Sequence, residues 1–200
     1  MNRRDLLVLA IGALPLRALA ALGTAAPAFE VPDAHMRKRR LTEFKGKTLV
    51  LEWTSASCPF VRAQYESGVM PELQRWTAAQ GIVWLSVIST HPSRRDYLAP
   101  DKADAMHRNR GGAPAALLID ATGAMGRAYG AVVTPHMFII DPKGDLAYAG
   151  AISDNATMSA SEARASRNYV KAALDDLRAG RKIATASTRP FGCTVAYSGD

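Results

Sequence analysis

Two continuous apolar runs, separated by a helix-length segment, constrain the fold of this chain more than any other feature. Leu49-Val50-Leu51-Glu52-Trp53 and Ile82-Val83-Trp84-Leu85-Ser86-Val87-Ile88 carry apolar side chains at both parities. That pattern suits central strands covered on two faces. A short polar turn follows the first run, and a helix opens at Cys58. Pro59 fits the first helical position, where its missing N–H costs nothing. Gly68 and Pro71 break or kink that helix, and a second segment over 72–80 stops at Gly81, a left-handed C-cap. A strand–helix–strand unit of this length implies a parallel, right-handed crossover.

The remaining segments extend that frame. A short helix is expected over 101–110, a strand over 115–120, and one or two helical turns over 125–129 closed by Gly130. Segments 134–141 and 145–150 flank Pro142-Lys143-Gly144 and read as a hairpin. One last helix is expected to start at a Ser159–Glu162 capping box. Its core face is Tyr169, Val170, Ala173, Leu174 and Leu177, and Gly180 ends it. The fold class is therefore α/β, a mixed β-sheet flanked by helices, parallel at the front of the chain and antiparallel at the back. Two hundred residues suffice for one domain with a full core.

The N-terminus reads as a signal peptide over 1–20. Arg3 and Arg4 form a charged start, 6–14 is an apolar stretch too short to span a bilayer, and Ala18-Leu19-Ala20 has the small-x-small cleavage pattern. Asn2-Arg3-Arg4-Asp5-Leu6-Leu7 also resembles a twin-arginine signal. Arg17 beside the cleavage pattern favours an uncleaved anchor instead. The expected location is thus exported and periplasmic, with no stable membrane span left after cleavage. Residues 21–32 are expected to be a tether followed by an edge strand over 28–33, ended by Pro32. The leader holds three arginines and one aspartate, a net of +2, which leaves +5 of the chain's +7. Much of that sits in Arg37-Lys38-Arg39-Arg40. The run has no interleaved aromatics, so a nucleic-acid partner is not expected; it reads as a solvated turn, or one facing anionic lipid headgroups.

Cys58 is the candidate reactive group. A thiol at a helix start meets unpaired backbone N–H groups and the positive end of the helix dipole, both of which favour thiolate, the nucleophilic form. The other cysteine is Cys193, 135 positions later. Outside the cytosol two such thiols tend to be oxidised. Three readings stay open: a redox nucleophile resolved by Cys193, a structural Cys58–Cys193 disulfide, or a buried inert thiol. Turn exposure and the helix start argue against the third. Arg62, one turn on, is placed to stabilise a thiolate or to be simply solvated. Trp53 forms either a rim beside the thiol or part of the core. His35, His91, His107 and His136 lack metal-ligand spacing, so neither a metal nor any other cofactor is expected. His136 is expected near the sulfur, where it could tune it.

The chain resembles the exported thioredoxin-like redoxins, close to their TlpA-like and peroxiredoxin-like (AhpC/TSA-related) branches. The resemblance is carried by Leu51-Glu52-Trp53-Thr54 leading to Cys58-Pro59-Phe60-Val61, by Gly126-Arg127-Ala128-Tyr129-Gly130, by Thr134-Pro135-His136-Met137-Phe138-Ile139-Ile140-Asp141, and by Gly192-Cys193-Thr194-Val195. It implies a thioredoxin-like domain over 33–200. It places Cys58 on the nucleophilic cysteine and Pro135 on a cis proline beside it. Thr134 then offers its backbone to a substrate strand. It also implies that Glu52, if buried, relays protons as a general base; an exposed sheet edge is the alternative for that side chain. Two departures matter. Val61 stands where a thioredoxin has its second cysteine. Ser55 and Leu51 stand where a peroxiredoxin has its threonine and proline, with Thr54 one place off. The expected activity is thiol–disulfide exchange with protein thiols and disulfides, served by an external thiol reductant. An antioxidant thiol peroxidase acting on a small peroxide is the first alternative, and a non-catalytic peptide-binding module the second.

Overall fold

The computed structural model describes residues 20–198, so all of the expected leader except Ala20 lies outside the described residues. A small antiparallel ribbon comes first, β1 (Glu30–Pro32) with β2 (Lys38–Arg40), then a single 3-10 turn over Leu41–Phe44. β3 (Leu49–Trp53), α1 (Pro59–Glu66), α2 (Val69–Ala79) and β4 (Val83–Ile88) form the crossover, and β4 runs parallel to β3. Gly68, at φ 79°, separates the two helices, a backbone conformation that glycine adopts without penalty. α3 (Pro100–Asn109), β5 (Ala116–Ile119) and α4 (Ala124–Tyr129) follow. Next come the two-residue β6 (Val133–Thr134), the hairpin β7 (His136–Ile140) and β8 (Leu146–Gly150), and the helices α5 (Ala160–Ala165) and α6 (Tyr169–Arg178). β9 (Cys193–Thr194) is the last strand among the described residues.

The main sheet has the order β5-β4-β3-β7-β8. β3 lies at its centre, parallel to β4 and antiparallel to β7, so the mixed α/β sheet agrees with expectation. Its register pairs Trp53 with His136 and Glu52 with Met137. Successive side chains on a strand point to opposite faces. One face therefore buries Leu49, Leu51, Trp53, Phe138 and Ile140 with Tyr129 of α4. The other buries Val50, Met137 and Ile139 with Val61, Met70 and Leu73 of α1 and α2, and with Val170 and Leu174 of α6. Cys58 belongs to this second cluster.

Three segments differ from expectation. The 21–27 stretch is no loose tether: the Gly23 amide donates to the Leu146 carbonyl at 2.8 Å, Ala26 to Gly144 at 2.9 Å, and Leu146 back to Thr24 at 2.9 Å. The basic run is solvated, as expected, but residues 38–40 form a strand and not a turn. That strand is β2, and each of the run's four cations has a carboxylate: Arg37 and Arg39 on Asp33, Lys38 and Arg40 on Glu30, with Arg39 also on Glu43. The expected last helix is two helices. Ser159 caps α5, but Glu162 turns its carboxylate to the Thr157 hydroxyl at 2.6 Å. Asn168 starts α6 by accepting from the Lys171 amide at 2.8 Å; such a side chain competes with the helical backbone mid-helix and favours a cap.

Candidate active site

The site is built where the end of β3, the start of α1 and the β6–β7 junction meet. Cys58 is the N-cap of α1, with Pro59 at the first helical position. The Thr134–Pro135 peptide is cis. The Cys58 thiol donates to the Thr134 carbonyl at 3.0 Å. Thr134 also anchors the end of the chain: β6 pairs antiparallel with β9, Thr134 opposite Cys193 and Val133 opposite Thr194. This brings the second cysteine to the first. The Cys193 thiol hydrogen-bonds to Cys58, and both are free thiols. Burial pushes the Cys193 thiol up to about 12, helped by its bond to Cys58 and the charge Cys58 carries once ionised; the Phe60 amide, in the first turn of α1, works in the opposite sense.

Gly192 makes this approach possible. At φ 137°, it lies so close to the Thr134 carbonyl that any Cβ would collide with it. Phe60 and Phe191, each two residues from a cysteine, bring their rings together in a tilted contact, 6.0 Å between centroids and 56° between planes. A cleft of about 640 Å³ runs beside the same segment, lined by Val133, Tyr169, Arg189, Phe191 and Gly192 among others.

Cys58 itself is 1% exposed. The exposure expected of a turn residue is absent because β9 covers the loop that Cys58 contacts. The helix-start geometry also differs from expectation. Cys58 receives no capping bond on its side chain, and the amide contact in the first turn goes to Cys193 instead.

Glu52 is wholly buried on the central strand, on the same face as Cys58. Its carboxylate accepts from Ser86 at 2.8 Å, Trp84 Nε1 at 2.9 Å, Tyr65 Oη at 2.9 Å and Gln74 Nε2 at 3.1 Å. The exposed-edge alternative is therefore excluded. Tyr65 passes the network on to His107 Nε2 at 3.1 Å. Burial, then the adjacent Glu52 charge, push the Tyr65 phenol well above its usual range. Sequence reasoning found Glu52 but none of these partners. Only Gln74 and Tyr65, polar positions on helix faces, carried any local signal.

The other supporting candidates lie elsewhere. Trp53 is on the opposite face, fully buried, with Nε1 on the Ser89 hydroxyl at 3.1 Å and its ring 5.1 Å from Phe138; it is a core residue, not a rim. Arg62 is exposed and faces Glu66 at 3.7 Å. His136 points away from the sulfurs, because it pairs with Trp53 in register and its ring lies 4.4 Å from Phe138. Following Pro135 in sequence did not put it beside the thiol: strand alternation sends it to the other face.

Burial lowers the His136 pKa from 6.5 to about 4. Between those values the unfolded imidazole takes a proton while the folded one stays neutral. Stability is therefore expected to fall as pH drops from 6.5 towards 4, by about 3 kcal/mol in full for this group. His107 shifts in the same direction and adds to the slope. Denaturant midpoints at pH 7 and 4.5 check it: His136→Leu is expected to shrink the difference, and an unchanged slope refutes the assignment.

The AhpC/TSA family profile matches residues 22–149. The chain belongs to the AhpC/TSA family. The matched stretch holds Cys58, the cis proline and the central strands, and stops before Cys193. Among solved structures, a hypothetical protein from Sinorhizobium meliloti 1021 is 25% identical with a TM-score of 0.75, over 92% of this chain and 98% of its own. An uncharacterized conserved protein from Geobacillus kaustophilus is 23% identical with a TM-score of 0.76, over 91% and 95%. The thioredoxin domain of a thiol-disulfide oxidoreductase from Bacteroides vulgatus is 20% identical with a TM-score of 0.50, over 63% and 85%. No curated protein matches the sequence. This AhpC/TSA chain thus has a thioredoxin-like fold, that of thiol-disulfide redox proteins. Among its described residues no helix is long and apolar enough to cross a membrane.

Proposed function

We propose that the protein is an exported thiol–disulfide oxidoreductase whose redox couple is Cys58 and Cys193. The observation that carries this reading is the contact between the two thiols against the cis Thr134–Pro135 loop. Val61 removes the neighbouring cysteine of a thioredoxin, and the C-terminal strand supplies one from 135 positions away.

In the reductive direction, the Cys58 thiolate attacks a substrate disulfide. One S–S bond breaks as the Cys58–substrate bond forms, and the departing thiolate takes a proton. Cys193 then gives up its proton and attacks the Cys58 sulfur. The second substrate thiol leaves, and the protein ends as a Cys58–Cys193 disulfide that an external thiol reductant restores. Glu52 and Tyr65 hold α1 to the central strand, and the burial of Glu52 on the Cys58 face supports a proton-handling role for it in this reading. The leader pattern over 1–20 supports export, where such a pair meets protein disulfides.

A second reading keeps the pair and changes the oxidant. Cys58 attacks a peroxide O–O bond, becomes a sulfenic acid with release of water or an alcohol, and condenses with Cys193 as a second water leaves. Family membership favours it; Ser55 and Leu51 in place of the peroxidase threonine and proline weigh against it.

The test is to mix reduced protein with one equivalent of glutathione disulfide or hydrogen peroxide and map the peptides by mass. The expected product is a Cys58–Cys193 link, lighter by two hydrogens. Both thiols staying free under both oxidants sinks the proposal, and the faster oxidant chooses between the readings.

A further inference from the structure

The edge that Thr134 was expected to offer to a substrate is already occupied. β9 pairs with β6 in antiparallel register, with Cys193 opposite Thr134. The Val195 amide donates to the Val132 carbonyl at 3.1 Å. The chain's own segment 193–195 therefore lies where an incoming strand would add by backbone pairing, and its cysteine hydrogen-bonds to Cys58.

This segment is held at both ends. Upstream, the Thr188 hydroxyl meets the Tyr148 phenol at 2.7 Å and accepts from the Ala151 amide at 2.8 Å. Downstream, the His91 amide donates to the Ala196 carbonyl at 2.9 Å. Tyr197 donates to the Ala131 carbonyl at 2.7 Å, and the Arg127 guanidinium lies 4.4 Å from its ring centre and bonds the Ser198 carbonyl at 3.0 Å. Gly123 and Gly126 provide the berth, since a Cβ on either would strike the Tyr197 ring. Arg127 and these glycines belong to α4 and its approach, remote in sequence from both cysteines. They grip the tail rather than the sulfurs.

From this strand pairing and its latch we infer that residues 191–195 are an internal mimic of the substrate, and that the substrate is an extended polypeptide segment presenting a cysteine after a small residue. The inference rests on the proposed redox pair and adds its regulation. While Tyr197 is latched, Cys58 is covered and the docking edge is full. A substrate strand enters by displacing 191–195, which carries Cys193 away with it. Resolution requires Cys193 to return, and its return refills the edge and expels the product strand. Entry and resolution are then mutually exclusive positions of one segment. Gly192 sets the selectivity: the residue before the incoming cysteine meets the Thr134 carbonyl, where a side chain does not fit.

The test uses the full-length protein with Cys193→Ser, so that Cys58 is the sole thiol. The probe is a peptide of sequence 189–198 whose cysteine carries 5-thio-2-nitrobenzoate. Attack by the Cys58 thiolate breaks the probe's S–S bond, forms the Cys58–peptide disulfide and releases the coloured thiolate. Adding Tyr197→Ala is expected to raise the rate about 10-fold, the weight of one ring–cation contact and one hydrogen bond. In the unlatched protein, replacing the peptide's glycine by valine is expected to slow it at least as much. Arg127→Gln, which leaves Tyr197 in place, is expected to act in the same direction and serves if Tyr197→Ala does not fold. Equal rates with and without the latch, or indifference to glycine against valine, overturn the inference while a Cys58–Cys193 disulfide in the unaltered protein still upholds the redox pair. No reaction of Cys58 with any probe in any variant, together with no such disulfide, removes both.

Discussion

Cys58→Ser is expected to lower disulfide-exchange turnover by about 10³-fold or more, and Cys193→Ser to stop the reaction half-way with substrate bonded to Cys58. The asymmetry follows from the two sulfurs' surroundings. With its pKa near 12, Cys193 is ionised in only about one molecule in 10⁵ at pH 7. It cannot make the first attack at a useful rate, although it is the more exposed of the two. Part of that elevation comes from its bond to Cys58 and from the Cys58 charge. Burial, the largest cause, persists once Cys58 is joined to substrate, but both Cys58 influences vanish while the Phe60 amide still favours a Cys193 thiolate. Cys193 is thus a better nucleophile after Cys58 is spent than before, which favours this order of events. Intact mass after exposure to glutathione disulfide checks this: Cys193→Ser should gain one glutathione and keep it, and Cys58→Ser should gain none. A glutathione found on Cys193 instead reverses the roles. A peptide bound equally well by Cys58→Ser, with no turnover in the unaltered protein, leaves only a binding module.

The sheet was legible because its central strands are buried on both faces, and only a run such as 49–53 or 83–88 satisfies that. The helix break at Gly68 was legible because glycine at positive φ has a strong local signature. The split at Asn168 was missed although a capping asparagine stood there, since the capping signal at Ser159 came first and the apolar period continued past it. The candidate site was half legible. Cys58, Thr134 and Pro135 meet as the resemblance implied. Trp53 took the core alternative of its two readings, and the expectation for His136 failed because nearness in sequence is not nearness in space: the β3–β7 register puts both on the face opposite Cys58. The covering of Cys58 by β9 had no local signal at all: two paired residues, far along the chain, with no hydrophobic period of their own.

Glu52→Ala is expected to cost about 3–5 kcal/mol of folding stability, a fall in Tm of about 10 °C or more for a chain of this size. The loss exceeds that of an ordinary hydrogen bond because four donors converge on one carboxylate: the Ser86 hydroxyl, Trp84 Nε1, the Tyr65 phenol and Gln74 Nε2. All four residues are buried, and a buried donor stranded without its acceptor loses its full desolvation cost. Glu52→Gln keeps an acceptor oxygen but adds an NH₂ group to a cluster already made of donors, so an intermediate loss is expected. The pair of variants also separates support from chemistry. If Glu52 only holds α1 against β3, the surviving folded fraction of Glu52→Gln should exchange disulfides with an unaltered pH profile. If it handles the proton released at Cys58, turnover per folded molecule should fall and the acid limb of the profile should change shape, because an amide can hold the helix but cannot take up a proton at neutral pH.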